Sequence, residues 1–457
     1  MANLETNDPS ELAPTRDLAA MASGLAPSNI SETARRWAKH CVLDWIAVTV
    51  GGVDEPLTRK LIDVALAEGA IGQARIIGHP EKLIASQAAL VNGAASHALD
   101  YDDVNQRMMG HPTVPVVPTL MALADEIPID GESFLAAFIA GYEVEVQLVD
   151  MMGLSHYDAG WHTTGTVGSF GAAAAAAKIL GLDGQQTATA LGIAATQTAG
   201  LKAMFGTMCK PLHAGKAASN GLLAARLAAE GFTSRVDAIE CPYGFAATQA
   251  ASFVPGAVRP DPAAPYAVEE NLFKYHAACY LTHAGMDALQ QLREENRVDP
   301  AEVIAVRQRV KPANFSVCNI QEPETGLEVK FSMRHTAAMT LFGIDTGALA
   351  SYTDEIAHRP DLVRLREKVE VIGDDRLTSR MQAEVEVDLA DGRMIAGFAD
   401  CGVPAGDLDE QERRLTIKFH SLVSPVFGDN RASAALDACL DLDSLDDVAR
   451  VFDTVTG

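Results

Sequence analysis

Apolar residues recur at intervals of three and four through most of the amino-terminal half, the spacing that places them on one face of a helix. DLAAMASGL reads as a short helix after a frayed first dozen residues. Ser28 to Glu32 supplies capping residues for TARRWAKHCVLDWIAVTVGG, where Trp37, Cys41, Asp44, Trp45 and Val48 share a face and Gly51-Gly52 ends the run. Asp44 on that face reads as a structural carboxylate bonded to a helix end or an arginine. PLTRKLIDVALAEG is an amphipathic helix, and ARIIG is a strand fragment or loop. EKLIASQAALVNGAASHALDYDD reads as one long small-residue helix, its Asn92-Gly93 and Ala94-Ala95-Ser96 admitting a close neighbour. Helices follow at 116–125 and 131–152, then in GWHTTGTVGSFGAAAAAAKILGL, GQQTATALGIAATQTAGLKAMFG and KPLHAGKAASNGLLAARLAAEGF.

After about residue 265 a Pro-rich connection intervenes and the period changes. VIAVRQRVKP and AEVEVDLADGRMIAGFA alternate as strands do, with Asp391-Gly392 at a hairpin turn. Helices around FSMRHTAAMTLFG and TDEIAHRPDLVRLREKV lie between them, and helix returns after Gly402. The pattern predicts a mainly α protein: a large all-helical domain over 1–268, an inserted α+β domain over 269–400, and a return to the helical domain over 401–457.

Composition narrows the function classes. A net charge of −25 argues against nucleic acid or an anionic membrane as partner, though not against an anionic substrate in a local basic cleft. The seven cysteines are scattered without a CxxC pair, which suits a reducing interior. No apolar run is long enough to span a bilayer, and the polar, acidic start does not read as a signal peptide. The expected location is the cytoplasm.

The densest chemistry is HALDYDDVNQRMMGHPTVPVVP, from His97 to Pro118. A helix through its first half would put His97, Asp100 and Asp103 on one face, with Gly110-His111-Pro112 as the break. Trp161-His162 stands at a helix start, where the positive dipole end keeps an imidazole neutral. The glycines at 165, 168 and 171 satisfy neither phosphate-loop motif and read as small residues at a crowded helix start. Lys210, His213 and Lys216 fall within seven positions at another helix start, a candidate carboxylate pocket. Lys274, His276, Cys279 and His283 gather before and inside a later helix. His276 and Cys279 have no second ligand pair in range, so no metal site is predicted.

AALVNGAASHALDYDD, GHPTVPVVP, the glycine-rich helix, KPLHAGKAASNG, FKYHAACYLTHAGMDAL and LEVKFSMRH, in that order, resemble the MmgE/PrpD family over nearly the whole chain. That family includes 2-methylcitrate dehydratases, cis-aconitate decarboxylases and iminodisuccinate epimerases. The resemblance implies a helical domain made from both chain ends with a smaller α+β lid, a homodimer, and activity without a metal or organic cofactor. It also implies the site: Asp100, His111, His162 and Lys210 as catalytic residues, with Lys274, His213, Cys279 and Tyr101 binding substrate. Val104 stands where the decarboxylases and dehydratases carry threonine, and Cys279 where the decarboxylase has histidine.

Such substrates are small di- or tricarboxylates with an acidic C–H. Lysines would neutralise the carboxylates and the charge that develops as the α-proton leaves, and His111 or His162 would move the proton. Reprotonation gives an epimerase, loss of a hydroxyl a dehydratase, and loss of CO₂ a decarboxylase. Val104, Met108 and Met109 offer little to hold a departing hydroxyl, which favours epimerisation of an amino- or imino-dicarboxylate as in iminodisuccinate epimerase. A non-catalytic binding protein and a magnesium-dependent enzyme of terpene-synthase type are the alternatives from other classes. The titratable residues disfavour the first and the absence of a DDxxD spacing the second.

Overall fold

The computed structural model describes residues 12–256, 258–259 and 261–456. The reading of the first dozen residues falls almost wholly outside them. Two compact units divide the chain: Met1–Asn271 with Leu408–Gly457, and Leu272–Asp407.

The first unit is helical. Its elements are α1 (Pro14–Gly24), α2 (Glu32–Gly51), α3 (Pro56–Ala67), the pair β1 (Ile71–Ile76) and β2 (His79–Leu83), α4 (Ala85–Ser96), α5 (Thr113–Ala124) and α6 (Gly131–Met152). Then come α7 (Ser155–Asp158), α8 (Thr163–Thr166), α9 (Gly168–Ile179), α10 (Gly184–Ala195), α11 (Cys209–Ala229) and α12 (Phe245–Gln249). After the second unit the chain contributes α19 (Leu408–Phe427), α20 (Asp429–Leu440) and α21 (Ala449–Asp453). Ser31 caps α2 by accepting from the Ala34 N–H at 3.0 Å. The expected long helix before Asp103 stops at Ser96, and its expected first residues form β2 instead. Among the described residues no helix is long and apolar enough to cross a membrane.

Helix α11 packs along α4 and α9, and small residues set the spacing. A Cβ on Gly215 would lie 2.1 Å from the Leu90 carbonyl oxygen, and one on Gly93 would lie 3.0 Å from the Gly215 Cα. The two backbones therefore touch, and a side chain at either glycine would force them apart. Gly168 and Gly171 meet Pro115 and Glu145 in the same manner, as expected of small residues in a crowded helix.

The second unit holds a four-stranded sheet in the order β4 (Val369–Gly373), β3 (Val303–Val310), β5 (Gln382–Leu389), β6 (Met394–Asp400). The β5–β6 hairpin matches the predicted alternation. Strand β4 pairs in parallel with β3 and was not expected, because its five residues follow a helical stretch and gain their partner only through the fold. Helix α13 (His283–Asn296) lies across β5 and β6. Short helices α14 (Phe315–Cys318) and α15 (Gly326–Val329), α16 (Met333–Leu341), α17 (Asp354–His358) and α18 (Pro360–Arg366) complete it.

Asp44 is a structural carboxylate, as expected, and a lysine faces it. Its carboxylate lies 2.6 Å from the Nζ of Lys418 on α19, and both side chains are buried. Removing one partner of a buried pair strands the other charge. Lys418→Met is expected to cost about 3–5 kcal/mol, read by urea unfolding through the fluorescence of Trp37 and Trp45. Adding Asp44→Leu should recover most of the loss.

Candidate active site

The loop between α4 and α5 carries the chemistry, and its path explains which side chains meet. His97 caps the C-terminus of α4 and is buried. Asp100 then takes a left-handed backbone conformation, φ 52°, which an aspartate tolerates better than most residues. Residues 105–110 form a tight reversal in which Asn105 N–H donates to the Gly110 carbonyl at 3.0 Å. The Asn105 side chain closes it, accepting from the N–H groups of Arg107 and Met108. Two threonines that begin α8 then pin the exit: Thr163 donates to the Met109 carbonyl, and Thr164 accepts from the His111 N–H at 3.0 Å. Gly110 is required here, since a Cβ would stand 2.6 Å from the Thr163 hydroxyl.

This path corrects the expectation of one acidic helix face. Asp100, Asp102 and Asp103 point to three different environments. Asp100 accepts from the Lys210 ammonium at 2.6 Å, and its Oδ1 lies 3.7 Å from His111 Nε2. Asp102 is buried between two imidazoles, with one oxygen 2.9 Å from His97 Nδ1 and 2.9 Å from His111 Nδ1. Asp103 turns into the core, where Thr113 and Asn271 donate to it.

His162 and His213 form a second imidazole pair, their Nδ1 atoms 3.1 Å apart, so one ring donates and the other accepts. The His162 ring stacks 5.8 Å from that of His97, which in turn sits 4.4 Å from His111. The helical unit thus brings together Asp100, His111, His162, Lys210 and His213 of the predicted residues, joined by His97 and Asp102. Lys216 does not belong; it is exposed on α11. Tyr101 does not belong either. The turn at Asp100 sends its ring into the core, where the Lys418 ammonium lies 4.0 Å from the ring centroid. Met108, expected to bear on the reaction, is fully buried. Lys274 and Cys279 are carried by the second unit, on the segment ahead of α13. His276 of that segment is engaged by Thr346 and Asp287.

Burial dominates the electrostatics. It lowers His97 to about 4 despite the neighbouring Asp102 carboxylate. Burial, reinforced by His97 and Lys210, holds His162 well below the usual imidazole range, and burial also lowers His213. The expectation of a neutral His162 holds, with burial rather than a helix dipole as the main cause. For Asp102 burial works upward, but His111 and His97 outweigh it and keep the carboxylate ionised. For Asp103 the donors Thr113 and Asn271 are outweighed: burial, then the charge of Asp44, pushes it up to about 8. Among the described residues, His97, Asp100, Asp102 and His111 offer side-chain N and O atoms within 4.8 Å of one another, and all of these but His97 Nε2 are turned to partners within the cluster or to Lys210. An ion there would have to displace the Lys210 ammonium from Asp100 and both imidazole protons from Asp102.

Residues 16–255 match the MmgE/PrpD N-terminal domain and residues 276–442 the MmgE/PrpD C-terminal domain. The chain belongs to the MmgE/PrpD family. Among relatives, the cis-aconitate decarboxylase of Aspergillus terreus is 27% identical over 474 residues, covering 95% of this chain and 94% of the relative. The cis-aconitate decarboxylase of Homo sapiens is 27% identical over 453 residues, covering 95% and 92%. In this MmgE/PrpD chain, Asp102 is the member of the constellation that sequence reasoning missed, and with it the partner of His97, which helical spacing had placed beside Asp100 and Asp103. The pair's one signal is a histidine and a carboxylate five positions apart across a helix end, and helical spacing concealed it.

Asp103 provides a test of the polar core behind the loop. Its folded-state value lies above the ordinary 3.8, so the folded chain binds the proton more tightly than the unfolded one. The resulting stability is complete below pH 3.8 and is lost as pH rises towards about 8. Asp103→Asn should remove that part of the decline, seen as a flatter dependence of the urea midpoint between pH 5 and 8.

Proposed function

We propose that this chain is a lyase that forms and protonates a carbanion on a small polycarboxylate, and that its reaction is decarboxylation of a substrate of the cis-aconitate kind. The observation that carries this reading is the accessible front of the constellation. There the Lys210 ammonium and the His111 imidazole meet at Asp100, whose side chain is 40% exposed, while the neutral His162–His213 pair stands beside them. The named relatives are decarboxylases and lend no support to the epimerase preference drawn from Val104.

The chemistry follows from charge. The carboxylate on the saturated carbon of such a substrate leaves as CO₂. The electrons of its C–C bond spread over the adjoining double bond and onto the remote carboxylate. Lys210, with its hydrogen bond to Asp100, supplies a cation against that carboxylate, where the negative charge grows in the transition state. A histidine then gives a proton to the carbon next to the remote carboxylate, the double bond shifts, and methylenesuccinate results. One proton is consumed and one CO₂ released.

Incubation with cis-aconitate in D₂O, followed by NMR, tests the reading. The expected result is methylenesuccinate carrying one deuterium on its saturated methylene, with one CO₂ per product. Deuterium entering recovered substrate without CO₂ release would point to an isomerase and overturn it. Lys210→Ala should lower kcat/KM by about 10²–10³-fold, the loss typical of one stabilising donor.

A further inference from the structure

We propose that Asp102 is a positioning carboxylate shared between two imidazoles, holding His111 in the tautomer that leaves Nε2 free to move the proton, with His97 setting how strongly it does so. The inference rests on the reading that His111 transfers a proton in the reaction.

The tautomer follows from the acceptors. His111 Nδ1 lies 2.9 Å from the Asp103 carbonyl oxygen and 2.9 Å from Asp102 Oδ2. A carbonyl oxygen cannot donate, so Nδ1 carries the hydrogen. Nε2 is then the nitrogen that gains and loses a proton, and it points to the Asp100 and Lys210 side. The Thr164 hydroxyl fixes the backbone of the same residue, so ring and chain are held together.

His97 has a different place. Its side chain is fully buried, its Nδ1 donates to Asp102, and its Nε2 is buried without a hydrogen-bond partner. It does not reach the accessible front and serves only as a donor to the shared carboxylate. Asp102 thereby divides its charge between two N–H groups. Deleting one donor concentrates that charge on the other. Among the described residues, the charged and titratable groups of the helical unit placed around His111 are Asp102 and His97 behind it, Asp100 and Lys210 in front, and His162 beyond His97.

Two substitutions therefore act in opposite directions. Asp102→Asn removes the anion behind His111 and makes the ring harder to protonate. His97→Ala leaves the whole carboxylate charge to His111 and makes it easier to protonate. Acylation of His111 by diethyl pyrocarbonate, quantified by peptide mass spectrometry across pH, reads this without any substrate. The midpoint is expected to fall by about one to three pH units in Asp102→Asn, the usual effect of an adjacent opposite charge. It should rise by a smaller amount in His97→Ala. His97→Asn, whose amide N–H can replace Nδ1–H, should restore the parent midpoint.

Midpoints that do not move, or that move in the same direction in both variants, would overturn the proposal. So would failure of His97→Asn to differ from His97→Ala. If Asp102→Asn does not fold, the His97 pair alone decides. With a turned-over substrate, kcat profiles should follow the same shifts at unchanged KM. Expected acylation shifts in a protein that leaves cis-aconitate untouched would sustain this proposal and fail the decarboxylase reading.

Discussion

A carboxylate buried away from water must be neutralised or fully hydrogen-bonded, because an isolated buried charge costs far more than a fold can spare. Asp102 meets that requirement with two imidazole N–H groups, and the loop around it is shaped to deliver them. Helix α4 ends where His97 can turn its ring to the carboxylate. The left-handed residue at Asp100 reverses the chain, and the reversal at 105–110 returns it so that His111 approaches from the other side. The threonines of α8 lock the exit. Each of these features is locally unfavourable or neutral on its own, and the charge gives them a common reason.

The same economy separates the front of the site from its back. His97, His162 and His213 are all pushed towards neutrality, chiefly by burial, in a chain of net charge −25. Positive charge in the constellation on the helical unit is thereby concentrated at Lys210, beside the exposed Asp100. In a chain of net charge −25, one well-placed ammonium acts locally while the overall charge discourages nonspecific anionic partners.

Much of the fold was legible because it rests on local periodicity. Helices α1, α2, α3 and α6 and the β5–β6 hairpin lie close to where alternation and spacing place them. What was not legible depends on partners far along the chain. The end of α4 could not be read, because Ala-Ser-His-Ala-Leu-Asp suits a helix, whereas in the fold the helix ends at His97, which bonds Asp102, and Asp100 is left-handed. Strand β4 is invisible without β3 beside it. Lys418 cannot be matched to Asp44 from spacing, and Lys216 looks equivalent to Lys210 until α11 is wound and turns it outward. Within the site, sequence located the loop and the lysine and the resemblance singled out Asp100, but helical spacing could not show where Asp102 and Asp103 turn, because the residue at 100 is left-handed and the helix does not continue.

The contact between Gly93 and Gly215 has a consequence for how such a site endures. The separation of α4 from α11, and with it the reach of Lys210 to the Asp100 loop, is gauged by backbone against backbone. A gauge made of main chain contains no side chain to replace. Core residues around it can drift in volume and shape without changing the span it measures. A chain that keeps hydrogen atoms at these two positions keeps that ruler, however far the packing around it diverges.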